Sequence, residues 1–209
     1  MHFRKTLLAG AAVAAAGLLS FAPSAHALSS INYTTVDGVG SGAQAISGSY
    51  ASGTATFVGL TFGCSGGNVS GTLDAGASSG GIVNADYSAL NITCDGPLGI
   101  DANITLNSTT CATGTFQDSD ATDGLNDVIS GTVTLASNCG QITAGSCTAN
   151  VAGTIDVTYD ETTQNLILDG PGFNLSNQSS ACLGFMDGPV GLNDITFDMN
   201  DVVDFRTNP

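Results

Sequence analysis

The densest set of residues able to do chemistry is the run Asp118-Ser119-Asp120-Ala121-Thr122-Asp123-Gly124-Leu125-Asn126-Asp127. Carboxylates at alternate positions, with a glycine that permits a sharp turn, suit a hard cation such as Ca2+, which takes roughly six to eight oxygen ligands. Asp118, Asp120, Asp123 and Asp127 are the candidate ligands. The competing reading is an acidic loop solvated between two strands. A second acidic group, Asp194, Asp198, Asp201 and Asp204, reads as the outward face of a last strand running into a frayed tail.

The first run resembles calcium-binding loops that open Asp-x-Asp. It departs from the EF-hand pattern, because Asp123 stands where that loop requires glycine and no Glu follows at the twelfth position. A carboxylate pair can also run glycoside hydrolysis. Seventeen of the 18 acids are Asp, and the one Glu, Glu161, falls in an expected hairpin turn. No spacing sets one pair of acids apart as acid and nucleophile.

Composition excludes more than it selects. Arg4 and Lys5, the apolar stretch Leu7 to Phe21 and the small-x-small triplet Ala25-His26-Ala27 form a secretory signal, with cleavage expected after Ala27. The apolar run is too short for a membrane span, which needs about 18 or more apolar residues. Residues 28–209 then keep one base, Arg206, against 18 acids, a net charge of −17. They hold no histidine, lysine or tryptophan. Ser-His-Asp and Cys-His catalysis, lysine Schiff bases and histidine-ligated zinc are all excluded. So is a basic footprint for nucleic acid.

These residues must be positioned by strands. Asn150 to Tyr159 keeps its apolar residues at odd positions throughout, and Thr56–Phe62 and Asp127–Leu135 alternate in part. A period of two marks half-buried strands. No stretch carries a helical stripe. Asp160-Glu161-Thr162-Thr163 reads as a hairpin turn, and Asp169-Gly170-Pro171-Gly172 as another. The rhythm gives ten to twelve short strands in one mature domain, an antiparallel β-sandwich or barrel.

Two segments repeat. Cys64 to Asp74 aligns with Cys147 to Asp156 through Asn-Val-x-Gly-Thr-(Leu/Ile)-Asp. Cys94 and Cys182 are each followed by Asp-Gly-Pro-x-Gly, at Asp95 and Asp187. The expectation is two similar β units, about residues 54–107 and 140–199, from an internal duplication. All six cysteines lie in the mature chain, an even count that reads as a disulfide framework in an exported protein. No pair has C-x-x-C spacing. Six cysteines allow 15 pairings, and the repeat favours the sequential one, Cys64–Cys94, Cys111–Cys139 and Cys147–Cys182. Seven Asn-x-Ser/Thr triplets, at Asn32, Asn68, Asn91, Asn103, Asn107, Asn174 and Asn177, reflect the Asn/Ser/Thr-rich composition.

The functional expectation is a secreted, non-enzymatic protein of the cell envelope or extracellular matrix, without a membrane span. Its partner would be a cell-wall or extracellular polymer, or another surface protein. A Ca2+-dependent binding module is the first alternative, and an Asp-based glycoside hydrolase the second.

Overall fold

The structure, a computed structural model, describes residues 28–35, 38–41, 43–57, 59–74, 82–96, 99–117, 128–182 and 188–207. The expected signal, residues 1–27, lies outside them. Twelve strands follow in order: β1 (Leu28–Thr35), β2 (Gly38–Ser41), β3 (Gln44–Phe57), β4 (Leu60–Leu73), β5 (Val83–Asp95), β6 (Asp101–Leu106), β7 (Ala112–Gln117), β8 (Val128–Ala144), β9 (Cys147–Asp160), β10 (Asn165–Ser176), β11 (Pro189–Met199) and β12 (Val202–Thr207).

Of the two expected architectures, the chain takes the barrel. Strands β3 to β11 form eight antiparallel staves, each beside its sequence neighbour, and β11 closes the ring by pairing with β3 from Val190↔Phe57 to Met199↔Gly48. Closure leaves no exposed stave edge for another chain to extend. One stave is shared. β6 pairs with the later halves of β5 and β8, β7 pairs with their earlier halves, and the chain between them leaves the ladder at 107–111.

The staves are longer than expected, up to 17 residues in β8. One reason is that Asp169–Gly172 is not a turn, and β10 runs straight through it. Pro171 has no N–H to donate, and it sits where the pairing with β9 and β11 is interrupted, so it is absorbed as a bulge. The hairpin expected at Asp160–Thr163 is present, with Glu161–Gln164 as the turn. Asp160 Oδ1 accepts the N–H groups of Thr162 at 2.8 Å and Thr163 at 3.2 Å.

Inward side chains are apolar and outward ones polar. In β9, Val151, Ile155, Val157 and Tyr159 are buried while Thr154 and Asp156 are exposed. In β8 the inward set changes from odd (Ile129, Val133, Leu135) to even (Gly140, Ile142) across a bulge at 136–139. A slip of one residue turns every later side chain to the other face, so the bulge is what keeps both halves of β8 apolar inside. Rings lock the wall where β3 meets its neighbours. Tyr50 meets Phe197 edge to face at 6.4 Å, and Phe57 meets Phe62 at 4.7 Å.

The three disulfides are the sequential ones. Cys64–Cys94 joins β4 to β5, and Cys147–Cys182 joins β9 to the 3-10 turn after β10, Ser180–Cys182. The register Cys94↔Ala102↔Ala144↔Cys147 places both on one rim. Cys111–Cys139 ties the break between β6 and β7 to the bulge of β8.

The opposite rim is crossed by a second sheet, ordered β12-β1-β2. The tail expected to fray is instead β12, paired with β1 from Val202 to Thr207. The pairing satisfies backbone groups that a loose tail would leave to water. Val203 is buried, and its N–H donates to Tyr159 Oη at 3.2 Å and Gln164 Oε1 at 3.1 Å. Beside it a cavity of about 10 Å3, lined by Ile46, Leu73, Phe116, Tyr159, Leu166, Met199 and Val203, has room for roughly one water.

One inward polar group is unmatched. Tyr87 is fully buried against Gly114, and its hydroxyl has no hydrogen-bond partner among the described residues. Burial pushes this phenol, and that of Tyr159, well above the ordinary value. A group held neutral in the fold contributes stability below its unfolded value and loses it as pH rises. The contribution of these two phenols should therefore be level up to about pH 10 and be lost above it. Tyr87→Phe removes an unsatisfied hydroxyl and one source of that loss. It should melt at or above the parent temperature, by up to about 1 kcal/mol, and unfold later in an alkaline titration. A clear drop in melting temperature would show that the hydroxyl is satisfied after all.

Candidate functional site

The acidic run with Asp118, Asp120, Asp123 and Asp127 lies outside the described residues. Among the described residues, no three Asp, Glu, Cys or His side chains are grouped so as to hold a metal ion. The second acidic group is dispersed. Asp194 and Asp198 are exposed on β11, Asp201 lies between β11 and β12, and Asp204 pairs through its backbone with Asn32.

Register brings other acids together instead. Asp156 on β9 stands directly opposite Asp169 on β10, and Asp95 on β5 opposite Asp101 on β6, all four exposed. Like charges in directly opposed positions are destabilising. Asp156→Asn should therefore raise the melting temperature in dilute buffer. The gain should shrink in ~1 M salt, where the Debye length is about 3 Å. An equal gain at both salt concentrations would assign the effect to something other than charge.

Glu161 sits in the expected hairpin turn, but its side chain is buried, 4% exposed. Gln164 turns back over it, with Nε2 donating to the Glu161 carbonyl at 2.5 Å and Oε1 accepting the Tyr159 hydroxyl. Burial is the main cause of the raised Tyr159 phenol, and the charges of Glu161, Asp160 and Asp201 add to it. Tyr159 and Gln164 tie the β9–β10 turn to β12 by accepting the Val203 N–H.

The outer wall is a field of short polar side chains. One row runs Thr72, Asp86, Thr113, Thr134, Thr154 across β4, β5, β7, β8 and β9. Hydroxyls link neighbouring staves at Thr115–Thr132 (3.0 Å), Thr134–Thr154 (2.9 Å) and Ser70–Ser88 (3.1 Å). Asn193 Nδ2 donates to Thr56 Oγ1 at 3.0 Å across the β11–β3 closure.

One place interrupts this regular wall. The β6–β7 break and the β8 bulge face each other, held by Cys111–Cys139 and by backbone bonds from Asn107 N to the Cys139 carbonyl (2.6 Å) and from Ala136 N to the Cys111 carbonyl (3.1 Å). Asn138 lies at the centre with φ 63°, and Asn177, just past β10, has φ 49°. Asn is among the few side chains that tolerate this left-handed region. Asn138 Oδ1 accepts Nδ2 of Asn150 at 2.6 Å and of Asn177 at 3.1 Å, and the Asn138 carbonyl accepts Nδ2 of Asn107 at 3.1 Å. Four amides from four separate segments thus converge on the outer surface.

Along the chain these four residues carry unrelated signals: Asn107 and Asn177 begin Asn-x-Ser/Thr triplets, Asn150 opens the repeated strand, and Asn138 belongs to no motif. A signal was present. The apolar alternation is odd through Leu135 and even at Ile142, so the interval between must bulge, and Asn138 is the residue in it suited to positive φ. Compared with known proteins, the chain matches no family, no curated protein and no solved structure.

Proposed function

We propose that the chain is an exported, non-enzymatic protein of the cell envelope or extracellular matrix that acts by surface contact. The observation that carries this reading is the filled barrel. Phe116, Phe173, Phe197, Ile92, Ile104 and Ile142 are fully buried across its interior, and the cavity at the capped rim has room for about one water. An eight-stranded barrel either packs its interior with side chains or holds one small ligand, and a packed one meets its partner from outside.

Other features support the same reading. A lipid-facing barrel carries an outward apolar band, whereas these staves present Thr, Ser, Asn and Asp. Three disulfides suit an oxidising compartment. The lack of histidine and lysine in residues 28–209 removes imidazole and amine catalysis and leaves carboxylates as the general bases. The test is retention of the folded protein on isolated envelope or matrix polymer. Specific retention without turnover supports the proposal. Polymer cleavage abolished by a single Asp→Asn change would replace it with the hydrolase reading.

A further inference from the structure

We infer that the amide cluster around Asn138 is the contact site for a neutral polyhydroxylated polymer, a glycan without charged groups. This deepens the surface-contact reading and rests on it. The ligand class follows from the donor set. A carboxylate only accepts hydrogen bonds, whereas an asparagine amide both donates and accepts, which matches a hydroxyl that does the same. In a chain of 18 acids, the cluster formed by Asn107, Asn138, Asn150 and Asn177 contains none. The side-chain carbonyls of Asn107, Asn150 and Asn177 accept no hydrogen bond from the described residues.

Position supports the assignment. The cluster stands where the regular staves are interrupted and a disulfide holds the β6–β7 break to the β8 bulge. Rigid scaffolds commonly carry binding groups on such departures. A protein partner fits poorly, because protein interfaces are anchored by buried apolar or aromatic side chains. The exposed large apolar residues among those described are Leu60, Ile100 and Val128, none of them in the cluster. A polyanion is repelled by residues 28–209, which hold one base against 18 acids. Exposed hydrogen bonds are individually weak, so a repeating polymer, engaged by many copies at once, is the form of ligand that such a site can hold.

The experiment uses the disulfide-bonded mature protein on an array of neutral glucose and N-acetylglucosamine oligomers and polymers, with uronic-acid polymers alongside. Asn138→Gly and Asn177→Gly remove the amides while keeping the left-handed backbone, and Asn150→Ala removes the third. Thr54→Val with Thr56→Val serves as a control on β3, four staves from β8 around the ring. The inference predicts retention on a neutral glycan, a loss of roughly tenfold or more in the triple variant, and little change in the control. Melting temperatures should stay within a few degrees of the parent. A triple variant that binds as well as the parent overturns the site while leaving the surface-contact reading intact. Retention on envelope protein, or on the uronic-acid polymers alone, overturns the ligand class. Retention on no envelope or matrix material removes the broader reading as well.

Discussion

Complete reduction of the three disulfides is expected to unfold the barrel in dilute buffer at neutral pH. The bridges span 30, 28 and 35 residues. In the chain-entropy account each loop of this length is worth about 3–4 kcal/mol, so all three supply roughly 10 kcal/mol. Whole domains are stable by only about 5–15 kcal/mol. The acids sharpen the effect, since residues 28–209 hold one base against 18 acids and repel themselves in the compact state. Single removals should divide by position. Cys147→Ala with Cys182→Ala frees the chain after β10, and should cost about 2–5 kcal/mol. Denaturant titrations of the oxidised and reduced protein, followed by circular dichroism, measure the difference. Added salt should recover part of the reduced protein's stability by screening the acids. A reduced protein with an unchanged midpoint would mean that the packed staves are sufficient alone.

The second large effect is expected at Gly153. Its φ of 135° lies where only glycine is comfortable, and a Cβ there would run into the Gly172 carbonyl on β10. Gly71, its counterpart in the repeated segment, is crowded in the same way by the Asp86 carbonyl on β5. Gly153→Ala therefore adds backbone strain to a forced separation of two staves, an expected loss of about 3–4 kcal/mol. Gly145 is the comparison. It also has positive φ, 59°, but a Cβ there meets nothing within 4 Å. Gly145→Ala should cost only about 1–2 kcal/mol, the left-handed penalty alone. Equal melting temperatures for the two variants would place the cost in the dihedral and not in the approach of the staves.

How much of this was legible depends on range. The alternation from Asn150 to Tyr159 is a local property, and it correctly assigns the inner and outer faces of β9. The turn at Asp160–Thr163 is local too, because Asp160 captures its own neighbours' N–H groups. The pairing of β11 with β3 is not. It joins residues about 140 positions apart, and nothing in either segment chooses closure over a two-sheet sandwich. Pro171 misled for a related reason. Proline and two glycines mark a turn in isolation, and only the interrupted ladders on both sides make them a bulge. The amide cluster draws on four segments whose meeting follows from register, so no spacing along the chain announces it. The acids illustrate the converse. The run at Asp118–Asp127 was conspicuous in the sequence, while the opposed pair Asp156 and Asp169 appeared only with the β9–β10 register.

The central claim is that the partner meets the outside of a packed barrel. The direct measurement is retention of the folded, disulfide-bonded protein on isolated envelope or matrix polymer, comparing an outward with an inward substitution. Asn138→Gly changes the surface cluster, and Val157→Ala trims the interior of β9. The account predicts that the first variant loses retention and the second keeps it below its own melting temperature, with the polymer intact in both cases. Loss of retention in Val157→Ala alone, or release of polymer fragments by the parent protein, would contradict it.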